Sequence, residues 1–168
     1  MRALWGTLLV CTLTACSAAR PHAARGPSSL LVRAWAGKEP RVTERAWSVV
    51  HFAGAQVGKR YCWGGTGPSC FDCSGLVQRA WGTAGVRVPR TADQIASELD
   101  EVPLSDVRAG DILWWPGHVG LYAGNGWMIE ALDTRHGVVR RPAIDPARAV
   151  RPWREPKSEN GAHAGREP

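Results

Sequence analysis

The chain has 168 residues, 44% of them hydrophobic and 21% charged, and a formal net charge of +6. Length and balance fit one globular domain with room for a core. A basic chain suits an anionic partner, yet no basic run is interleaved with aromatic residues and no nucleic-acid motif is present, so nucleic acid is set aside.

Met1–Ala15 reads as a secretory signal: Arg2 is a minimal positive region, and Leu4–Leu13 is an apolar run too short to cross a bilayer as a helix. Leu13-Thr14-Ala15-Cys16 resembles a bacterial lipobox, in which Cys16 would become the lipidated N-terminus of the mature chain. Ordinary cleavage after small residues, with Cys16 incidental, is the alternative. Either way the domain is expected to be exported to the cell envelope, where disulfides are permitted. Residues 16–40 are rich in Ala, Arg, Pro, Gly and Ser and read as a tether with a reach on the order of 25–30 Å. The folded domain is expected over residues 41–154. Residues 155–168 are polar and free of aromatics, the composition of a disordered tail.

Within the domain, Thr43 caps a first expected helix that runs to Gln56, with an apolar stripe of Ala46, Val49, Val50, Ala53 and Val57. A glycine-rich loop from Tyr61 to Pro68 leads to a second helix beginning at Cys73 and ending near Thr83–Gly85. A third starts after Pro89-Arg90-Thr91, with Thr91 as cap, and runs to about Leu99. The period then changes. Residues 111–115, 118–124, 127–132 and 138–141 are short strand-like runs separated by Gly, Pro and Asn. Helices followed by an antiparallel sheet make an α+β layout. Of nine tryptophans, several are expected in the core and some lining a groove.

The chemistry centres on Asp72-Cys73-Ser74. Asp72 is a good N-cap residue, which puts Cys73 in the first turn of a helix, where unpaired N–H groups and the helix dipole favour thiolate. A cysteine pKa of about 8.5 falls to roughly 3.5–7.5 in such places. The same N–H groups suit an oxyanion. A cysteine nucleophile needs a base within hydrogen-bond reach. Of five histidines, His118 opens a strand after Pro116-Gly117 and is the best placed to be held in a fixed position.

Tyr61, Trp63-Gly64-Gly65, Phe71-Asp72-Cys73-Ser74-Gly75-Leu76-Val77, Pro89-Arg90-Thr91, Ala109-Gly110-Asp111 and His118-Val119-Gly120-Leu121-Tyr122 together resemble the NlpC-type family of bacterial cell-wall cysteine peptidases, in order and spacing. The resemblance runs from about Val42 to Arg141. It implies a papain-like α+β fold, Cys73 as nucleophile and His118 as general base. Its third polar residue falls at Glu130, where the family usually has histidine, asparagine or glutamine. A carboxylate still accepts from the imidazole and stabilises the imidazolium. The resemblance also gives Tyr61 an oxyanion or substrate role, and Asp72 and Ser74 a role in recognising the free amine of a peptidoglycan stem peptide. For Asp72 a pure helix cap is the alternative, and the two roles are compatible.

Cys62 and Cys70 flank the glycine loop and are read as a disulfide, with a reduced pair as the rival. A zinc site is disfavoured because no second Cys pair or histidines stand at ligand spacing. No cofactor or metal is expected. The resemblance implies a peptidoglycan endopeptidase acting between γ-D-glutamate and the diamino acid; the lipobox-like stretch adds an expected membrane anchor through lipid at Cys16. An amidase or acyl transferase on the same fold, or a wall-binding lipoprotein that no longer turns over, are the other readings.

His118 and Glu130 lie on consecutive strands joined around Gly124-Asn125-Gly126. A tight two-residue Asn125-Gly126 turn would pair Gly124 with Trp127, Leu121 with Glu130 and His118 with Asp133, and send Glu130 to the far face. A three-residue loop would pair Ala123 with Trp127 and Gly120 with Glu130, making His118 and Glu130 diagonal neighbours on one face. The second register is the one expected.

Overall fold

The computed structural model describes residues 43–153. The expected signal sequence, Cys16, and the expected tether and tail lie outside the described residues.

Three helices come first. α1 is Glu44–Gly54, capped by Thr43, whose hydroxyl accepts from Ala46 N. α2 is Cys73–Thr83 and α3 is Ala92–Glu98, the latter with a capping box between Thr91 and Gln94. The stripe of α1 is shorter than expected. Val49 and Ala53 are fully buried, whereas Val57 lies past the helix end and is 45% exposed. Between α1 and α2, β1 (Arg60–Tyr61) and β2 (Cys70–Phe71) pair in parallel across the glycine loop.

The rest is a six-stranded antiparallel sheet in the order β3-β8-β4-β5-β6-β7. The strands are β3 Asp100–Val102, β4 Ile112–Trp115, β5 His118–Gly124, β6 Trp127–Ala131, β7 Val138–Pro142 and β8 Arg148–Arg151. β3 and β8 were not expected. β8 returns from the far end of the chain to lie between β3 and β4. The Asp111 carboxylate pins it by accepting from Arg151 Nε and Nη2, both at 2.7 Å.

The central strands are buried on both faces, which is why they read as nearly continuous apolar runs. On one face Ile112, Val119, Leu121, Ile129 and Val150 meet Leu76, Val77, Ala80 and Trp81 of α2. On the other, Leu113, Tyr122, Met128 and Ala149 form a second cluster with Val102, Val107 and Ala143. The alternation along β5 and β6 puts His118, Gly120 and Tyr122 in phase with Met128 and Glu130 on this second face.

The β5–β6 hairpin combines the two turns considered above. Gly124 pairs with Trp127, and Asn125 and Gly126 both have positive φ, 53° and 77°, so the turn is the tight two-residue form. A bulge then absorbs Ala123, and the ladder continues as Tyr122 with Met128 and Leu121 with Ile129. The three-residue loop does not form, and Ala123 does not pair with Trp127. The bulge nevertheless sets the register that such a loop would have given, so His118 and Glu130 share a face.

Candidate active site

Asp72 closes the N-terminus of α2. Its Oδ1 accepts from Gly75 N at 2.6 Å, which makes Cys73 the first residue of the helix. The glycine loop is folded against this turn: Asp72 N donates to Gly65 O, and Gly64 N donates to Asp72 Oδ2, both at 2.9 Å. Contact is so close that a Cβ at Gly75 would sit 2.0 Å from Gly65 O, so glycine is required there. Cys62 and Cys70 are disulfide-bonded, with their Cα atoms 5.7 Å apart.

Cys73 is the free cysteine among the described residues, and 9% of it is exposed. Burial pushes its thiol up. The hydrogen bond and charge of His118, with the backbone N–H groups of Val119 and Ser74, outweigh that and hold it below the usual thiol range. Burial pushes His118 down, but its bonds to Cys73 and Glu130, with their charges, raise it to about 9. Together these shifts favour a thiolate–imidazolium pair at neutral pH. His118 Nε2 lies 2.5 Å from Glu130 Oε2, which leaves Nδ1 for the sulfur. Asp133, the rival partner, is instead bonded to His136.

Glu130 has no exposed surface. Burial works against its charge, yet hydrogen bonds and the charges of His118 and Arg141 keep it below the usual carboxylate range. Arg141 Nε donates to the second oxygen, Oε1. Reading the sequence did not single out Arg141, because its approach depends on the offset of β7 against β6.

Asp72 is equally engaged. Arg90 grips it as a fork, Nη1 to Oδ1 at 3.0 Å and Nη2 to Oδ2 at 2.6 Å, and also donates to Ser74 Oγ at 2.9 Å. Arg90 stood inside the quoted Pro89-Arg90-Thr91 motif without an assigned role. Tyr61, paired with Phe71 two residues before Cys73, has its phenol raised by burial and by the charges of Cys73 and Asp72, so it remains a donor at neutral pH. The structure thus gathers Tyr61, Asp72, Cys73, Ser74, His118 and Glu130 in one place, with Arg90 and Arg141 behind them. Trp115 tilts beside His118 with ring centroids 6.1 Å apart, and Trp63 stands 91% exposed on the glycine loop. Among the described residues, no group of three or more His, Cys, Asp or Glu is placed to hold a metal ion.

This arrangement has recognisable relatives. Over 90 residues the chain is 42% identical to a probable endopeptidase of Corynebacterium glutamicum, covering 52% of this chain and 43% of that protein. It thus spans less than half the length of that relative. Among solved structures, the peptidoglycan hydrolase RipB of Mycobacterium tuberculosis matches with a TM-score of 0.62 and 33% identity, over 71% of each chain. Residues 58–154 match the model of the NlpC/P60 family. The chain belongs to the NlpC/P60 family.

Proposed function

We propose that this protein is a cysteine endopeptidase that cleaves an amide bond in peptidoglycan stem peptides, between γ-D-glutamate and the diamino acid. The observation that carries it is the continuous line from Cys73 through His118 to Glu130 at the N-terminus of α2. RipB, named a peptidoglycan hydrolase, supports the substrate class.

In this reading the Cys73 thiolate adds to the amide carbonyl, forming a C–S bond and an oxyanion. The Cys73 and Ser74 N–H groups at the helix start, with the Tyr61 hydroxyl, are the donors nearest that charge. The imidazolium of His118 gives its proton to the departing amine as the C–N bond breaks. Neutral His118 then takes a proton from water, which attacks the thioester and releases the acid and the thiolate. Glu130 keeps the ring oriented and stabilises its charged form.

Asp72 and Ser74 face the free amine of the substrate in the same proposal. Five donors already converge on the Asp72 carboxylate, from Gly64, Ser74, Gly75 and the two arms of Arg90. An ammonium therefore has to displace one of them, and Arg90, with 37% of its side chain exposed, is the side-chain donor with access to solvent. Export and a lipid at Cys16 belong to the proposal too, supported by Leu13-Thr14-Ala15-Cys16.

The test is digestion of purified peptidoglycan, with mass spectrometry of the products. Expected products carry a new γ-D-glutamyl carboxylate and a new amine on the diamino acid, and Cys73→Ala abolishes them while the domain stays folded. Activity surviving in the purified Cys73→Ala protein would overturn the nucleophile. Cleavage at the glycan-proximal amide would assign an amidase instead, and no products from the intact protein would leave a binding role.

A further inference from the structure

The structure points to a role for Arg141 that the family pattern does not contain. Glu130 is fully buried and occupies a position usually filled by a neutral or basic side chain. Its two oxygens are divided between two partners, Oε2 on His118 and Oε1 on Arg141. Burial, His118 and Arg141 set its charge.

The contact follows from the sheet. Across β6 and β7, Met128 pairs with Arg141 and Glu130 with Val139. Arg141 is therefore the diagonal neighbour of Glu130 on the same face, a distance that a long side chain spans. Arg140, one residue earlier, pairs with Ile129 on the opposite face and stacks over Trp127 at 4.6 Å. The same alternation that brings Glu130 to His118 thus brings Arg141, and not Arg140, to Glu130. Arg141 keeps 35% of its side chain exposed, while that of Glu130 is wholly buried.

Charge explains why it is needed. A thiolate and an imidazolium sum to zero, and a neutral amide in third place leaves them so. A glutamate adds a buried negative charge, and Arg141 restores the balance, giving four groups of alternating sign: Cys73, His118, Glu130 and Arg141. An uncompensated buried carboxylate is costly and takes up a proton instead. A protonated Glu130 no longer stabilises the imidazolium, and the sulfur loses its partner cation.

We propose that Arg141 is a positioning residue: its Nε–H and charge hold Glu130 ionised and aimed at His118, so that Glu130 and Arg141 together stand in for one neutral residue of the family pattern. This rests on the Cys73 nucleophile proposed above. The test therefore uses a readout that needs no substrate, the rate of Cys73 alkylation by iodoacetamide against pH, followed on the Cys73 peptide by mass spectrometry. Arg141→Met is expected to move the profile up by about one pH unit, leaving roughly tenfold less thiolate at a fixed pH below it, and to lower kcat on stem peptides more than it changes KM. In a Glu130→Gln background the same change is expected to move nothing further. Equal losses in both backgrounds, or no shift from Arg141→Met alone, would overturn the proposal. Should Arg141→Met fail to fold, Glu130→Gln/Arg141→Met is expected to fold, and its failure would assign Arg141 a general structural role instead. Absent peptidoglycan cleavage with the expected alkylation shifts would refute the proposed substrate and leave the role of Arg141 standing.

Discussion

Two buried carboxylates serve the site, Asp72 beside Cys73 and Glu130 behind His118; each is held by an arginine, and they are built differently. Asp72, on the helix side, is adjacent to Cys73 in sequence and is held by backbone as well as side chains: the cap to Gly75 and the amide of Gly64, on the glycine loop that the Cys62–Cys70 disulfide closes, beside Ser74 and Arg90. Glu130, on the sheet side, is held through side chains. It depends on two side chains from neighbouring strands, His118 and Arg141. The helix side is local and redundant, so it survives the loss of one contact. The sheet side is assembled by strand register, so one change alters it. Damage on the helix side should therefore appear mainly as lost stability, and damage on the sheet side mainly as a changed thiol.

The largest effect expected on stability comes from Asp72→Ala. It removes the helix cap, which leaves the buried Gly75 amide without its acceptor at about 1–3 kcal/mol, and it turns the exposed Gly64 amide and the Arg90 fork over to water. Arg90 is more than a third exposed and re-solvates, so it adds little. A loss of about 3 kcal/mol is expected in urea unfolding, with activity abolished because Cys73 is the next residue. Unchanged stability would mean that the glycine loop, and not Asp72, fixes the start of α2.

Next comes the disulfide. Cys62 and Cys70 are eight residues apart. Closing a loop of that size restricts the unfolded chain by about 2.5 kcal/mol. A lower thermal midpoint is expected for Cys62→Ser/Cys70→Ser, with the Cys73 alkylation profile kept, because the loop bonds to Asp72 whereas His118 is held from the sheet by Glu130. A displaced alkylation profile in that variant would show that the two sides are not independent.

The same contrast explains what was legible in the sequence. The helix side is written in neighbouring residues: Thr43, Asp72 and Thr91 were read as caps, and each accepts from the backbone N–H three residues on. Cys73, His118 and Glu130 were read through the family motifs, and the shared face of the last two through hairpin register. What escaped was non-local. The Ala123 bulge reconciles a tight Asn125-Gly126 turn with the shifted ladder, and no composition signal distinguishes that from a longer loop. β8 is a short run whose partners, β3 and β4, lie well before it in the chain. Arg141 was visible only as one of two adjacent arginines, and choosing between them requires the β6–β7 offset. Arg90 had a signal in its motif, but its carboxylate lies 18 residues upstream.

The smallest effect expected tests the sheet side at its narrowest point. Gly120 lies on the face shared by His118 and Glu130, and its missing side chain gives the diagonal contact its room. A Cβ built there would sit 2.5 Å from Met128 Cε and 3.4 Å from Glu130 Cβ. The first contact is too short, but it meets the free end of a flexible side chain that turns aside at modest cost. The second is an ordinary contact, so the glutamate need not move. Gly120→Ala should therefore cost about 1 kcal/mol of stability, lower the thermal midpoint by a few degrees, and leave kcat within about threefold (roughly 0.7 kcal/mol). Adding Met128→Leu, which removes Cε, should recover part of the stability. Gly120→Val is the contrasting case: its branch reaches the glutamate and should shift the Cys73 alkylation profile in the direction expected of Arg141→Met. A Gly120→Ala protein with native stability and a displaced alkylation profile would break this reading, because it would place the sensitivity in the backbone of β5 and not in the space between the two side chains.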